Sequence, residues 1–118
     1  MTFPDADSKD KIHFHYTNEN IESVPNEAEK MILNIIISEQ KELTQLTYVL
    51  CDDAYLLDLN IRHLNHDTLT DIITFPMSDE GIDGEIYISV ERVLENAKLF
   101  DTTFKEEFLR VIAHGVLH

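Results

Sequence analysis

Short apolar segments alternate along this chain with longer segments whose apolar residues recur every third or fourth residue, and this succession constrains the fold. The short segments predict strands, half-buried where apolar and polar residues alternate as in residues 12–16, and the wider spacing predicts helices with one buried stripe. The strand patterns lie at residues 12–16, 46–51, 71–75 and 84–88, and helical patterns begin near residues 25, 52, 89 and 103. The order βαβαββαα predicts an α+β fold in which a single four-stranded mixed sheet packs against helices.

Local signals refine this prediction at three places. Alternation in the first strand predicts that Ile12, Phe14 and Tyr16 point inward. Ser89 precedes an apolar helical stripe and is expected to cap that helix. Thr103 with Glu106 three residues later has the spacing of a capping box at the start of the last helix.

Length and composition predict one folded unit. The chain has 118 residues, and a typical domain has about 100–150. We expect residues 1–11 to be disordered and residues 12–118 to form a single catalytic domain. The sequence ends inside a helical pattern without a Gly, Asn or Pro stop signal, which predicts that the C-terminal end is missing.

The sequence shows no pattern of a membrane span or a signal peptide, and this bears on the cellular compartment. No apolar run reaches the roughly 18 residues of a membrane span, and the N-terminal residues do not have the pattern of a signal peptide. The single cysteine, Cys51, fits a reducing compartment and is expected to be a small core residue. We therefore expect a cytoplasmic protein with no membrane partner.

The net charge of -14 excludes a protein that binds nucleic acid non-specifically through a basic surface. A role on nucleic acid then requires a local site, a metal ion or a partner that supplies positive charge. Much of the excess acid is expected on solvated helix surfaces. These acids are Glu27, Glu29, Glu91, Glu95, Glu106 and Glu107.

Two histidines in the last helix are the first candidates for chemistry. His114 and His118 are four residues apart, so on a helix their side chains share one face and can bind one divalent ion. The same spacing occurs in HExxH metalloproteases, but Gly115 replaces the glutamate that acts as general base there. Gly115 instead suggests close approach of a substrate or backbone, or a tight contact between helices.

Three sequence blocks resemble the YbeY endoribonuclease family. HGVLH at 114–118 resembles the start of its H-G-x-L-H-L-x-G-Y-D-H signature. LN at 59–60, Asp67 and TDIITFP at 70–76 resemble its L-N…D-x-x-T-D-V-L-S-F-P block, and GEIYIS at 84–89 resembles its G-D-I-x-I-S strand and helix cap. The blocks occur in the family's order and cover residues 46–118, whereas earlier residues match only in outline.

The resemblance implies a metal-dependent enzyme, namely a zinc-dependent, single-strand-specific endoribonuclease that acts in 16S rRNA 3′-end maturation and ribosome quality control. It implies a zincin-like HxxxH helix in the cleft, with Zn²⁺ held by His114, His118 and a third histidine beyond the end of this sequence. Its implied partners are ribosomal RNA and the small ribosomal subunit, with a ribosomal protein or a GTPase as a further partner.

Two further side chains are candidate catalytic residues. The family usually has Tyr-Arg in the cleft where this sequence has His63-Leu64, so Arg62 or His63 is a candidate replacement; otherwise Arg62 is a solvated helix residue. Asp71 is a candidate to orient a ligating histidine, although it equally fits a turn cap.

Two alternative functions stay open. The departure at the cleft arginine and the acidic composition favour a ribosome-associated binding module whose metal is structural or absent. A narrow closed pocket at the metal, too small for RNA, would instead favour a hydrolase of small molecules.

Overall fold

The chain forms the predicted succession of strands and helices in a computed structural model that describes residues 11–18, 21, 24–77 and 81–117. In this part of the chain there are four strands and four helices. They are β1 (Ile12–Tyr16), α1 (Glu27–Ser38), β2 (Leu43–Cys51), α2 (Asp53–Leu64), β3 (Ile72–Pro76), β4 (Ile82–Ser89), α3 (Val90–Leu99) and α4 (Phe104–Leu117). Apart from Lys11, the segment predicted to be disordered lies outside the described residues.

The strands form one mixed sheet in the order β1-β2-β4-β3. β1 and β4 both run parallel to the central strand β2, and β3 pairs antiparallel with β4. The parallel pairs require crossover connections, which the helices provide, whereas β3 and β4 are consecutive and form a hairpin. The predicted four-stranded mixed sheet with helices is thus confirmed.

The larger core lies on the face of the sheet covered by α1, α3 and α4. Helix α4 contributes Phe108 and Ile112, α1 contributes Ile32, and α3 contributes Val93, all of them fully buried or nearly so. They pack against sheet residues such as Tyr48, whose ring stacks on Phe14 with centroids 5.3 Å apart. Burial of this apolar surface is the main stabilising contribution to the fold.

Helix α2 packs alone on the opposite face of the sheet. Its Leu56 and Leu59 form a second core cluster with Cys51 and Ile73. Successive residues of a strand point to opposite faces, so Ile73 faces α2 whereas its neighbour Ile72 packs against the larger core. The sheet therefore separates α2 from α4.

One inward residue of the first strand is predicted wrongly. Ile12 is buried and Phe14 packs against the core, but the side chain of Tyr16 is 43% exposed. Tyr16 is the last residue of an edge strand, and its hydroxyl accepts a hydrogen bond from the backbone N–H of Val24 at 3.1 Å. A tyrosine can keep its hydroxyl at the surface when, as here, the hydroxyl forms a hydrogen bond, so Tyr16 does not need to be buried.

Both helix caps form, although one differs in detail. The backbone N–H of Arg92 donates to Ser89 Oγ at 3.2 Å, and that of Glu106 donates to Thr103 Oγ1 at 3.1 Å. The carboxylate of Glu106 accepts a hydrogen bond from the hydroxyl of Thr102, 2.6 Å away, in place of the backbone N–H that a capping box would supply.

Candidate active site

His114 lies in the last turn of α4 with its side chain exposed, while the next two residues, Gly115 and Val116, are buried against the sheet. A Cβ at Gly115 would lie 2.6 Å from Ile72 Cδ1 and 3.4 Å from Ile86 Cγ2. The glycine thus allows close packing of α4 on side chains of the sheet. The sequence suggests a substrate, a backbone or another helix as the close neighbour of Gly115, whereas its neighbours in the structure are these two isoleucine side chains.

The second predicted metal ligand, His118, lies outside the described residues. Helix α4 continues through Leu117, so the described backbone keeps the helical register of His114 for three further residues. Within the described ranges, no three His, Cys, Asp or Glu side chains form a group that could hold a metal ion. His114 is exposed near the end of α4, and its role as a metal ligand stays a prediction.

Asp71 stands just before β3, between α3 and α4. Its backbone carbonyl accepts a hydrogen bond from the N–H of Ser89 at 3.0 Å, and its carboxylate lies 3.5 Å from the amide Nδ2 of Asn96. Its negative charge also acts on Arg110, which precedes His114 by one helical turn. The structure therefore brings Asp71 to the part of α4 that carries His114, and its predicted role as an orienting carboxylate stays a prediction.

Arg110 forms a bidentate ion pair with Glu107 on α4. Its Nε donates to Glu107 Oε1 at 2.9 Å and its Nη2 donates to Oε2 at 2.5 Å. The hydrogen bonds from this guanidinium to Glu107 raise the pKa of Arg110, burial partly opposes this, and the charges of Glu107 and Asp71 raise it further. Glu107 is only 2% exposed, so its predicted place on a solvated surface is wrong. Its carboxylate is stable there because the arginine neutralises it.

Arg62 lies on the other side of the sheet, near the end of α2. Its side chain is 63% exposed and its Nη2 is 2.8 Å from Asp58 Oδ2, one turn earlier in the helix. The structure does not bring Arg62 and His114 to one face, and its role in a cleft stays a prediction. The neighbouring His63 packs edge-on against Phe75, with ring centroids 6.0 Å apart.

A polar network joins the N-termini of α2 and α3 beside the sheet. The Ser89 hydroxyl donates to Asp53 Oδ1 at 2.7 Å, and Arg92 Nη2 donates to Asp53 Oδ2 at 2.8 Å. Burial raises the pKa of Asp53, but the hydrogen bonds from Arg92 and Ser89 and the charge of Arg92 lower it more, so its pKa falls below its ordinary value. The ion pair holds the two helices at a fixed separation.

Cys51 is a core residue, as predicted. It is fully buried, its Sγ lies 3.4 Å from the carbonyl oxygen of Ile88, and burial together with the charges of Asp52 and Asp53 raises the pKa of its thiol to about 12. A thiol in this state is a poor nucleophile at neutral pH, which argues against cysteine catalysis here.

The cavity beside the end of α4 is small. It lies on the sheet side of the helix against Gly115 and Val116, is bounded by Thr74 and Pro76, and has a volume of about 70 Å³. Pockets for small organic ligands usually have about 300–1,000 Å³. Because His114 is exposed on open surface instead, the described residues do not form the narrow closed pocket that a small-molecule hydrolase would need.

Comparison with known proteins decides the family. A family model described as Endoribonuclease YbeY matches residues 8–118 of this chain. The chain belongs to the YbeY endoribonuclease family. The endoribonuclease YbeY of Flavobacterium johnsoniae is 46% identical over 110 residues, which cover 91% of this chain and 78% of that protein. That of Flavobacterium psychrophilum is 52% identical over 88 residues, which cover 74% of this chain and 63% of that protein.

A solved structure has a similar fold. The solution structure of TM1509 from Thermotoga maritima matches with a TM-score of 0.68 at 29% identity, covering 91% of this chain and 70% of that one. The family resemblance and the α+β fold inferred from the sequence are both confirmed. None of the helices in the described part of the chain is long and apolar enough to cross a bilayer.

Sequence reasoning missed the bidentate pair of Glu107 and Arg110. Their spacing of three residues on a helix was a usable signal, because side chains at this spacing are neighbours. Burial of the glutamate depends on how α4 packs against the other elements, which the sequence pattern does not show.

Proposed function

We propose that this chain is an endoribonuclease that cleaves single-stranded RNA at a metal site formed by His114 and His118. The observation that carries this proposal is the position of His114, which α4 presents on open surface while Gly115 holds the helix tightly against the sheet. Membership of the YbeY family supports the same activity. The proposed metal is zinc, and a third histidine in the continuation of the signature would complete its ligands.

The chemistry follows from an open histidine site on a rigid helix. His114 and His118 would hold the zinc, which when bound would supply a Lewis acid for a phosphoryl oxygen and a water with a pKa of about 7. The packing of Gly115 and Val116 against the sheet fixes the backbone that carries His114, so the helix would not need to move to bring this residue to the metal. Asp71, held beside Asn96, would orient a ligating histidine or its neighbours.

The open surface at His114 favours an extended substrate. A single strand of RNA exposes its phosphates and sugars along its length, so it fits a site without walls better than a compact molecule does. The net charge of -14 opposes general attraction of RNA, and delivery by a partner compensates for this. We propose that the small ribosomal subunit, through a ribosomal protein or a GTPase, brings the substrate to this enzyme in the cytoplasm.

The proposed substrate within the cell is the immature 3′ end of 16S rRNA, with a further role in ribosome quality control. The resemblance of the three sequence blocks to the family supports this proposal, and Arg62 stays a candidate for contact with RNA. An alternative is a ribosome-associated binding module whose metal is structural or absent. The pairing of Arg62 with Asp58, on the face of the sheet away from His114, favours this alternative.

The test combines metal content with RNA cleavage in the full-length protein. We expect wild type to bind zinc and to cleave single-stranded but not duplex RNA. We expect His114→Ala to lose both properties because it removes a ligand, and His15→Ala, which removes an exposed histidine of β1, to keep both. Elemental analysis and a labelled-RNA cleavage assay measure the two effects, and circular dichroism checks the fold.

Two results would contradict this proposal. Undiminished cleavage by a folded His114→Ala variant would show that the activity does not depend on this site. Absence of cleavage by wild type, together with ribosome association that His114→Ala retains, would favour the binding module.

A further inference from the structure

Arg110 is an exposed cation whose orientation is fixed by a buried acid. Two of its N–H groups donate to the two carboxylate oxygens of Glu107, at 2.9 Å and 2.5 Å. The glutamate side chain is 2% exposed and the arginine side chain is 57% exposed. The bidentate pair thus holds the plane of the guanidinium against the helix while much of its surface faces solvent.

The remaining donors of Arg110 are available for a ligand. A guanidinium has five N–H donors, about three more than Glu107 uses. Its Nη1 group forms no hydrogen bond with any residue that the structure describes. A planar group with outward N–H donors matches the oxygen atoms of a phosphate, and arginine recognises phosphate in this bidentate way.

Arg110 also lies next to the candidate site in space. It precedes His114 by four residues on α4, so the two side chains are neighbours on one helix face. Four other described cations form ion pairs elsewhere in the fold, in the pairs Arg62–Asp58, Arg92–Asp53, Lys98–Glu95 and Lys105–Glu27. Glu107 balances the charge of Arg110 and Asp71 also acts on it, so what Arg110 offers an anion beside His114 is its set of oriented outward N–H donors.

We propose that Arg110 binds a backbone phosphate of single-stranded RNA beside the one cleaved at His114, with Glu107 as the residue that positions it. This inference rests on the proposed function and adds a substrate-binding residue to it. The competing explanation is purely structural, namely that Arg110 serves only to neutralise the buried carboxylate of Glu107.

The test measures RNA binding by metal-free full-length protein. The probe is a short 2′-O-methyl RNA oligonucleotide, which cannot be cleaved through its 2′-hydroxyl, and its Kd is measured at several salt concentrations. We expect Arg110→Gln to weaken binding about tenfold and to reduce the slope of log K against log salt by about 0.7, the value for one phosphate of a single strand. Lys98→Gln removes a cation from a similar i,i+3 ion pair on α3 and is expected to leave the slope unchanged.

A double variant separates binding from structure. Glu107→Gln with Arg110→Gln removes both members of the pair, so it restores the wild-type net charge and leaves no buried carboxylate unpaired. We expect it to bind RNA as weakly as Arg110→Gln, whether or not the single variant is less stable.

Each other outcome overturns the inference in a distinguishable way. Wild-type affinity in the double variant would show that Arg110 has only the structural role. Equal salt slopes for wild type and Arg110→Gln would show that Arg110 does not contact a phosphate. This result would not contradict the proposed endoribonuclease activity. A wild type that neither binds the oligonucleotide nor cleaves RNA would refute the proposed function, and this inference with it.

Discussion

The side chain of Ser89 links the N-terminus of α3 to Asp53 of α2, and Ser89→Ala tests how much this link stabilises the fold. The side chain is fully buried where β4 leads into α3. Its oxygen accepts the backbone N–H of Arg92 at 3.2 Å, and its hydroxyl donates to Asp53 Oδ1 at 2.7 Å. The substitution removes both bonds while leaving the backbone unchanged.

The expected loss of stability is the sum of two contributions. Replacing a serine N-cap by alanine costs about 1 kcal/mol. A hydrogen bond to a charged group contributes about 1.5–3 kcal/mol, but Asp53 retains Arg92 as a partner, so the lower end applies. We therefore expect Ser89→Ala to lower the free energy of unfolding by about 2–3 kcal/mol. For a domain of this size that corresponds to a decrease in Tm of about 10 °C.

Urea unfolding followed by circular dichroism measures this change, with Ser38→Ala as the matched control. Ser38 is the exposed last residue of α1, so its variant is expected to stay within about 0.5 kcal/mol of wild type. A loss below about 1 kcal/mol for Ser89→Ala, with unchanged m-value, would show that the bond to Asp53 contributes nothing beyond the cap. The reasoning from the network would then be refuted.

Two further predictions concern a partly buried carboxylate and a fully buried hydroxyl. The pKa of Asp53 is lowered in the folded chain, so the stability it contributes is present above about pH 4, the unfolded value, and is lost as pH falls through the lower folded pKa. Urea unfolding between neutral pH and pH 3 measures the difference in the free energy of unfolding between wild type and Asp53→Asn. We expect this difference to shrink at acid pH, and a constant difference would contradict the prediction. The Tyr48 hydroxyl is buried without a partner among the described residues, so Tyr48→Phe should stabilise the chain by about 1 kcal/mol. If Tyr48→Phe were less stable than wild type in the same assay, the Tyr48 hydroxyl would have a hydrogen-bond partner and the prediction would be wrong.

Features set by local sequence could be predicted. The strand at Ile12–Tyr16 and the caps at Ser89 and Thr103 depend on residues close together in the chain, and the structure confirms them. The strand predicted to begin at Leu46 begins earlier, at Leu43, because its partner strand β4 extends the ladder to Ile82. Strand bounds of this kind depend on the neighbour and not on the local pattern.

Features set by packing could not be predicted from the pattern. Glu107 has the spacing of a solvated acid on α4, but the packing of α4 buries it and leaves Arg110 to neutralise it. Arg62 has a plausible spacing from the family's arginine, but α2 lies on the face of the sheet opposite α4, and Arg62 pairs with Asp58 there. The position of Arg62 relative to α4 depends on which face of the sheet α2 covers, and the local sequence pattern does not show this.

Gly115 links the packing of α4 to the chemistry proposed for it. A Cβ at this position would lie 2.6 Å from Ile72 Cδ1, so a larger residue here requires the end of the Ile72 side chain to shift. Asp71 is the residue before Ile72 and lies near Arg110, one turn from His114. Gly115 therefore packs on the residue that follows Asp71 in the chain, next to the part of α4 that carries Arg110 and His114. A glycine in a helix costs up to about 1 kcal/mol in propensity, and this close contact with Ile72 is a physical reason for a glycine here.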